Sequence, residues 1–173
     1  MSYSKDRAWS DLKLPAIRQI VGPLLLEPAD FKVDAMEATD LMIIQARDLR
    51  IAARVRKAEY AQKYPYEFTI RSSRTSGAKT EMAKIIEGFG DWMFYGFSDD
   101  DNGPGIGRWY LIDLAIFRAN LIWFNQKKHL AIDRKDNHDN TTSFVSYDIR
   151  SFEGKILVAS SHEVTFFGET QSA

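Results

Sequence analysis

Hydrophobic and polar residues alternate along 49–57, where the sequence reads LRIAARVRK. A period of two residues is typical of a β-strand with one face in the core, because successive side chains point to opposite faces. The apolar row ends at Val55, and the opposite row carries Arg50, Arg54 and Arg56. The pattern predicts a half-buried strand that directs guanidinium groups outward.

Apolar segments on both sides of this strand predict further strands. Residues 38–44 are typical of a mostly buried strand, and residues 67–72 alternate between polar and apolar positions. Two apolar segments, 91–98 and 108–114, are separated by a spacer rich in Gly, Asp and Pro, which predicts a long hairpin loop. We expect most of the aromatic residues of this hairpin to lie in the core.

Helical spacing of apolar residues predicts three helices. Pro23 should kink or end the first, because proline lacks the backbone donor that a helix interior needs. Ser10 or Asp11 can cap this helix, and Pro15 is tolerated in its first turn if the cap lies a little later. Thr80 is a suitable N-cap for the second helix, which Gly88 or Gly90 should end. The predicted helices cover 9–27, 80–90 and 115–126.

The remaining segments complete a prediction of fold class. Residues 56–66 predict a polar loop or short helix, and residues 127–142 predict a charged surface loop. The order of elements indicates an α/β protein with a mixed central sheet flanked by helices, an added β-hairpin and C-terminal elements. Because no repeat or linker interrupts the chain, we expect a single domain over 1–173, with its core at about 10–125 and C-terminal elements at 126–173.

Composition excludes several classes of protein. With 45% hydrophobic and 27% charged residues, the 173-residue chain has the composition of a globular protein. The absence of cysteine excludes disulfides and thiolate metal sites. The first residues are too charged for a signal peptide, and no apolar stretch reaches the ~18 residues of a membrane span. We therefore expect a cytoplasmic protein that does not enter membranes.

The net charge of −1 means that affinity for a polyanion must come from a local patch. Arg71 lies on the outward face of the 67–72 strand, and Arg74 and Lys79 follow in the next turn. Together with the arginine strand they predict a basic surface, and arginine forks match the geometry of phosphate groups. Nucleic acid is the partner that this surface predicts.

A structural interpretation of the same residues remains open. The arginines can pair with nearby carboxylates in a surface ion network, and exposed pairs contribute only about 0–1 kcal/mol. The available carboxylates are Asp40, Asp48, Glu67 and Glu81. A protein partner or a second copy of the chain is the alternative ligand for this face.

The order α-β-β-β-α-β, with TDLMII at 39–44 followed by the arginine strand, resembles the core of the restriction-endonuclease-like superfamily, PD-(D/E)XK. The resemblance covers about residues 10–98. It implies a divalent-metal-dependent nuclease, in which an acidic residue on one strand and an acid-x-Lys triplet on its neighbour hold Mg²⁺ or Mn²⁺ against the scissile phosphate.

Two registers place this motif on the sequence. When Asp40 is the first acid, the triplet falls on residues 52–54, where Ala52 replaces the acid and Arg54 replaces the lysine. Arg54 can stabilise negative charge on phosphate, but its pKa is too high for a general base.

The second register begins at Asp48 and places the triplet on residues 67–69. Glu67 then supplies the acid, and Thr69 occupies the lysine position. One or two carboxylates are the usual protein ligands of Mg²⁺, so either register leaves the site dependent on a further acid.

Glu81 and Lys84 can supply the missing groups, because residues three apart share one face of a helix. An ordinary helix ion pair is the structural alternative. The resemblance thus implies Asp40, Glu67 and Glu81 as metal ligands, with Lys84 or Arg54 facing the scissile phosphate. The residues expected to position the nucleic-acid backbone are Arg50, Arg56, Arg71, Arg74 and Lys79. A catalytically inactive protein that keeps the nuclease fold and the basic face is the alternative function.

Overall fold

A computed structural model of the protein describes residues 3–28, 41–43, 49–127, 132–137, 141–152 and 154–167. Within these residues the chain is a mixed α/β protein with four α-helices and nine strands. The helices are α1 (Tyr3–Val21), α2 (Glu59–Lys63), α3 (Glu81–Ile86) and α4 (Leu114–Lys127). The strands are β1 (Leu26–Pro28), β2 (Leu41–Ile43), β3 (Ile51–Arg56), β4 (Glu67–Arg74), β5 (Trp92–Ser98), β6 (Ile106–Asp113), β7 (Ile132–Asp136), β8 (Thr142–Asp148) and β9 (Leu157–Ser160).

The larger sheet has the strand order β3-β5-β6-β9. β3 runs parallel to β5, with Arg54 opposite Tyr95, and the other neighbours are antiparallel. β5 and β6 form the hairpin that the sequence predicts, with Tyr95 opposite Tyr110. Phe94, Tyr95, Phe97 and Tyr110 are buried, which confirms that most of the hairpin aromatics lie in the core.

The second sheet is antiparallel, with the order β4-β8-β7. Phe68 of β4 lies opposite Tyr147 of β8, and the register shifts after Arg71. β7 lies inside the 127–142 segment predicted as a loop, so that prediction was wrong for Ile132–Asp136. This strand borders the sheet and reads IDRKD, and charged residues of this kind are typical of edge strands but resemble a loop in composition.

The expected single central sheet was also wrong. β2 pairs with β1 in a separate two-stranded ribbon, and β3 and β4 belong to different sheets. A parallel pair such as β3 and β5 needs a crossover of a dozen or more residues. Residues 57–91 form this crossover, and β4 lies within it and pairs with β8 instead.

Helix α1 begins before the predicted boundary at residue 9, so Pro15 lies inside the helix and not in its first turn. It ends at Val21, just before the Gly22–Leu25 3-10 turn that contains Pro23, as expected. Within the residues described, no helix is both long and apolar enough to cross a lipid bilayer.

Two apolar clusters hold these elements together, one on each side of the larger sheet. The main core joins the two sheets and α4 around the buried rings of Phe68, Phe117 and Tyr147. In the smaller cluster, α1 packs on Phe94 and on the apolar row of β3. The arginine row of β3 therefore faces away from α1, toward β4 of the second sheet.

Candidate functional site

A groove of about 420 Å³ opens where β3, β4 and α3 meet. Its walls come from both sheets, because β3 belongs to the larger sheet and β4 to the smaller one. The cationic side chains that line it are Arg50, Arg54, Arg71, Arg74, Lys79 and Lys84. One carboxylate, that of Glu81, also lines the groove among the residues described. The structure thus places most of the predicted basic residues around a single concavity.

Ion pairs neutralise half of this positive charge. The pairs are Arg54–Glu81, Arg50–Asp91 and Lys79–Glu87. Arg71, Arg74 and Lys84 form no ion pair within the part of the chain that the structure describes. Among the described residues, the ion-network interpretation therefore accounts for three of the six cations and gives no carboxylate partner to the other three.

Arg54 and Glu81 form the most enclosed of these pairs. Nη2 of Arg54 lies 3.0 Å from Oε2 of Glu81, and the two side chains are only 17% and 24% exposed. Nη1 of Arg54 donates to the carbonyl oxygen of Thr69 at 3.1 Å, and Oε2 of Glu81 accepts the backbone N–H of Arg71 at 3.1 Å. These bonds join β3, β4 and α3, so the pair fixes the walls of the groove.

Arg71 has two other arginines, Arg54 and Arg74, as charged neighbours in the groove. Its guanidinium and that of Arg54 lie 5.4 and 5.1 Å from the centre of the same ring, Phe144. Its Nε is buried and has no hydrogen-bond partner among the described residues. Burial and the neighbouring Arg54 and Arg74 lower the pKa of Arg71, while Glu81 acts in the opposite direction. An anion bound here would relieve this repulsion between cations.

Asp91 holds Arg50, another of the cations that line the groove. The backbone N–H of Arg50 donates to Oδ2 of Asp91 at 2.8 Å, and its Nε lies 3.4 Å from the same oxygen. The backbone bond, with the guanidinium charge, keeps the pKa of Asp91 below its ordinary value. Arg50 remains exposed, with 55% of its side chain open to solvent.

Helix α3 carries the rest of the site, and its ends are set by local sequence. Thr80 accepts the backbone N–H of Ala83 at 3.1 Å, which confirms the predicted N-cap. Gly88 has φ +89° and ends the helix as predicted, since the left-handed conformation favours glycine. Lys84 is on the exposed side of α3 and lines the groove, as Glu81 does.

Arg56 lies outside this groove. Its guanidinium stacks on the ring of Tyr60, with 4.1 Å from Cζ to the ring centre, and its Nη1 lies 3.4 Å from the Tyr95 hydroxyl. Burial lowers the pKa of Arg56, but Tyr95 and Tyr60 outweigh this effect and the net shift is upward. The structure therefore gives Arg56 a packing role between strands.

Glu67 is also separate from the groove. Its Oε2 accepts hydrogen bonds from Lys135 at 2.9 Å and from Ser146 at 2.8 Å. Glu67 lies four residues from Arg71 along β4, roughly 13 Å at the rise of a strand. Glu81 accepts a hydrogen bond from the backbone N–H of Arg71, so the carboxylates of Glu67 and Glu81 do not share a site.

The predicted metal site is thus incomplete in the part of the chain that the structure describes. No group of three His, Asp or Glu side chains there has the arrangement to hold a metal ion. Asp40, the remaining predicted ligand, lies outside the described residues, as does Asp48. The two described candidate ligands, Glu67 and Glu81, do not by themselves fit Mg²⁺ or Mn²⁺, because each is bonded to a cationic side chain.

Sequence reasoning missed two aromatic residues of the site. Phe144 supports the guanidiniums of Arg54 and Arg71 from β8, which pairs with β4 over a long sequence separation. Phe89 lines the groove and is 54% exposed. The sequence did contain a signal for the exposure of Phe89, which is the glycine on each side of it. Two glycines indicate a turn, and a side chain in a turn does not lie on the buried face of a helix or strand. No protein-family model, curated protein or solved structure matches this chain.

Proposed function

We propose that the protein binds nucleic acid through the basic groove. The observation that carries this proposal is that one concavity holds three cations with no ion-pair partner among the described residues, and that two of them, Arg71 and Arg74, lie close enough to repel each other. Burying like charges together is unfavourable without an anion, and phosphate is the anion whose geometry matches arginine forks. The protein as a whole has a net charge of −1, so this positive charge is local.

The salt dependence of binding tests the proposal. Arg71→Ala and Arg74→Ala should each remove about one phosphate contact, which lowers the log–log slope of affinity against salt by about 0.9 on duplex and about 0.7 on a single strand. Fluorescence anisotropy with labelled 20-nucleotide DNA and RNA, each single-stranded and duplex, measures the slope.

Arg18→Ala is the control, because it removes one arginine that lies outside the groove. Arg18 lies on α1, which packs against the face of β3 opposite the arginines. We expect this control to keep the slope of the wild-type protein. Slopes that stay unchanged in both groove variants would show that nucleic acid does not use the groove.

Cleavage of the bound strand is the second candidate function, and it keeps the proposed restriction-endonuclease-like core and Mg²⁺ or Mn²⁺. Its support is the position of Glu81 and Lys84 in the same groove as Arg54. The test is incubation of plasmid, linear DNA and RNA with either ion, using the wild-type protein, Asp40→Asn and Glu81→Gln. Cleavage that both substitutions abolish supports a nuclease, whereas cleavage that survives them, or no cleavage at all, contradicts this assignment.

A further inference from the structure

We propose that the ligand of the basic groove is single-stranded nucleic acid, and that Phe89 is the platform on which one of its bases stacks. This inference rests on the proposed function and names the form of nucleic acid that the groove accepts. It starts from an exposed aromatic ring among cations, since phenylalanine is ordinarily buried.

The backbone around Phe89 holds its ring at the groove. The N–H of Phe89 donates to the carbonyl of Lys84 at 3.0 Å, and the N–H of Gly88 donates to Ile85 at 3.0 Å, so the turn is bonded back onto α3. Gly88 and Gly90 have φ values of +89° and +81°. Any Cβ at Gly90 would lie 3.1 Å from Leu114, so the turn also packs closely against α4. The ring is therefore presented by a fixed turn.

Two cations lie over this ring, at about the limit of a cation–π contact. Cζ of Arg50 lies 6.0 Å and Nζ of Lys79 lies 5.9 Å from the ring centre. Nη2 of Arg50 also donates to the carbonyl of Gly88 at 3.4 Å, which ties this cation to the same turn. A nucleotide whose base stacks on Phe89 would thus have its phosphates near Arg50 and Lys79, although each of these cations also pairs with a carboxylate, that of Asp91 or Glu87. Proteins that bind single strands combine these two features, a basic groove and a stacking ring.

The position of the ring favours a single strand over a duplex. In a duplex the bases are stacked on one another and present only their edges in the grooves. A ring among the lining residues therefore reaches the face of a base only when that base is unstacked.

Phe89→Ala, Phe89→Trp and the control Phe167→Ala test the role of the ring. Phe167 is a suitable control because it is 62% exposed and lies against a guanidinium, that of Arg150, at 4.8 Å. Affinities are measured for the 20-mers of deoxythymidine and uridine, for a deoxyribose 20-mer without bases, and for a 20-base-pair duplex. The two base-bearing 20-mers show which sugar the groove prefers.

We expect Phe89→Ala to weaken binding of a base-bearing 20-mer by about 5- to 100-fold, the usual effect of losing one base–aromatic stack. Phe89→Trp should retain the affinity, and Phe167→Ala should not alter it. The salt slope should stay constant, because the ring contacts no phosphate. The 20-mer without bases should bind the wild-type protein and Phe89→Ala equally.

The outcomes separate this inference from the proposed function. Equal affinity of the wild-type protein and Phe89→Ala for the base-bearing 20-mers overturns the inference, and so does tighter binding of the duplex than of the single strands. Either result leaves the proposed function intact if Arg71→Ala still lowers the salt slope. If Arg71→Ala and Arg74→Ala have no effect on the slope, the proposed function fails independently of Phe89.

Discussion

Lys13 is a fully buried lysine that fastens the β5–β6 loop to helix α1. Its Nζ lies 2.5 Å from Oγ of Ser98, 3.0 Å from the carbonyl oxygen of Asp100 and in hydrogen-bond contact with the carbonyl oxygen of Gly103. These acceptors match the three N–H donors of an ammonium group. Replacing Lys13 with methionine keeps an unbranched side chain in α1 but removes all three donors.

The cost of Lys13→Met follows from the acceptors that it leaves behind. The part-buried carbonyl of Gly103 loses a charged donor, and an unsatisfied acceptor costs about 1–3 kcal/mol. The carbonyl of Asp100 also loses Lys13 but still accepts from Oγ of Ser98 and from the backbone N–H of Gly103. The variant no longer has to desolvate an ammonium group, and this offsets part of the loss. We therefore expect the free energy of unfolding to fall by about 1–3 kcal/mol, a substantial part of the roughly 5–15 kcal/mol typical of a domain.

Urea denaturation followed by tryptophan fluorescence measures this loss. Lys57→Met is the matched control, because Lys57 is exposed and the substitution is chemically the same. We expect the control to change the free energy of unfolding by less than about 0.5 kcal/mol. Equal stability of the two variants would refute the reasoning, since it would mean that the loop carbonyls do not depend on Lys13.

Three further substitutions test the packing and the local structure that position the groove. Phe117 is fully buried, with its ring 5.2 Å from that of Tyr147, so Phe117→Ala should cost about 3–5 kcal/mol in urea denaturation. Thr80→Ala removes the N-cap of α3 and should cost about 1 kcal/mol, with faster hydrogen exchange at the Ala83 amide. Burial raises the pKa of Tyr147 from 10.0 to about 12, so the native state loses stability as the pH rises through this interval, by up to roughly 2–3 kcal/mol. Tyr147→Phe should remove that loss, which urea midpoints of both proteins at pH 8 and pH 11.5 will show.

Features that depend on neighbouring residues could be predicted from the sequence. The cap at Thr80 and the glycine end of α3 are interactions within one turn, and the structure has both. The hairpin of β5 and β6 needs only two apolar strands and a loop of suitable composition. The alternation in β3 also predicted that Ile51 and Val55 share an apolar face. The expectation that the opposite face points outward was wrong, because Ala52 on that face packs on the main core and Arg54, only 17% exposed, bonds to β4.

Features that depend on distant residues could not be predicted. Arg71 of β4 lies opposite Phe144, and no period in either strand identifies the other as its partner. Consequently the sequence predicted one sheet where β3 and β4 belong to two. It also predicted neither the burial of Lys13 nor the exposure of Phe89, because both reverse the ordinary preference of their residue type.

Arg54 explains why the arginine row of β3 is neither a solvated face nor a uniform binding surface. Its guanidinium bonds to Thr69 and Glu81, so its donors are used to hold β3 against β4 and α3. Arg71 and Arg74, by contrast, have no carboxylate partner among the described residues. A count of charges treats the three arginines alike, but the geometry gives them different roles. Arg54 sets the shape of the groove, and in the proposed function Arg71 and Arg74 supply the positive charge that attracts a phosphate.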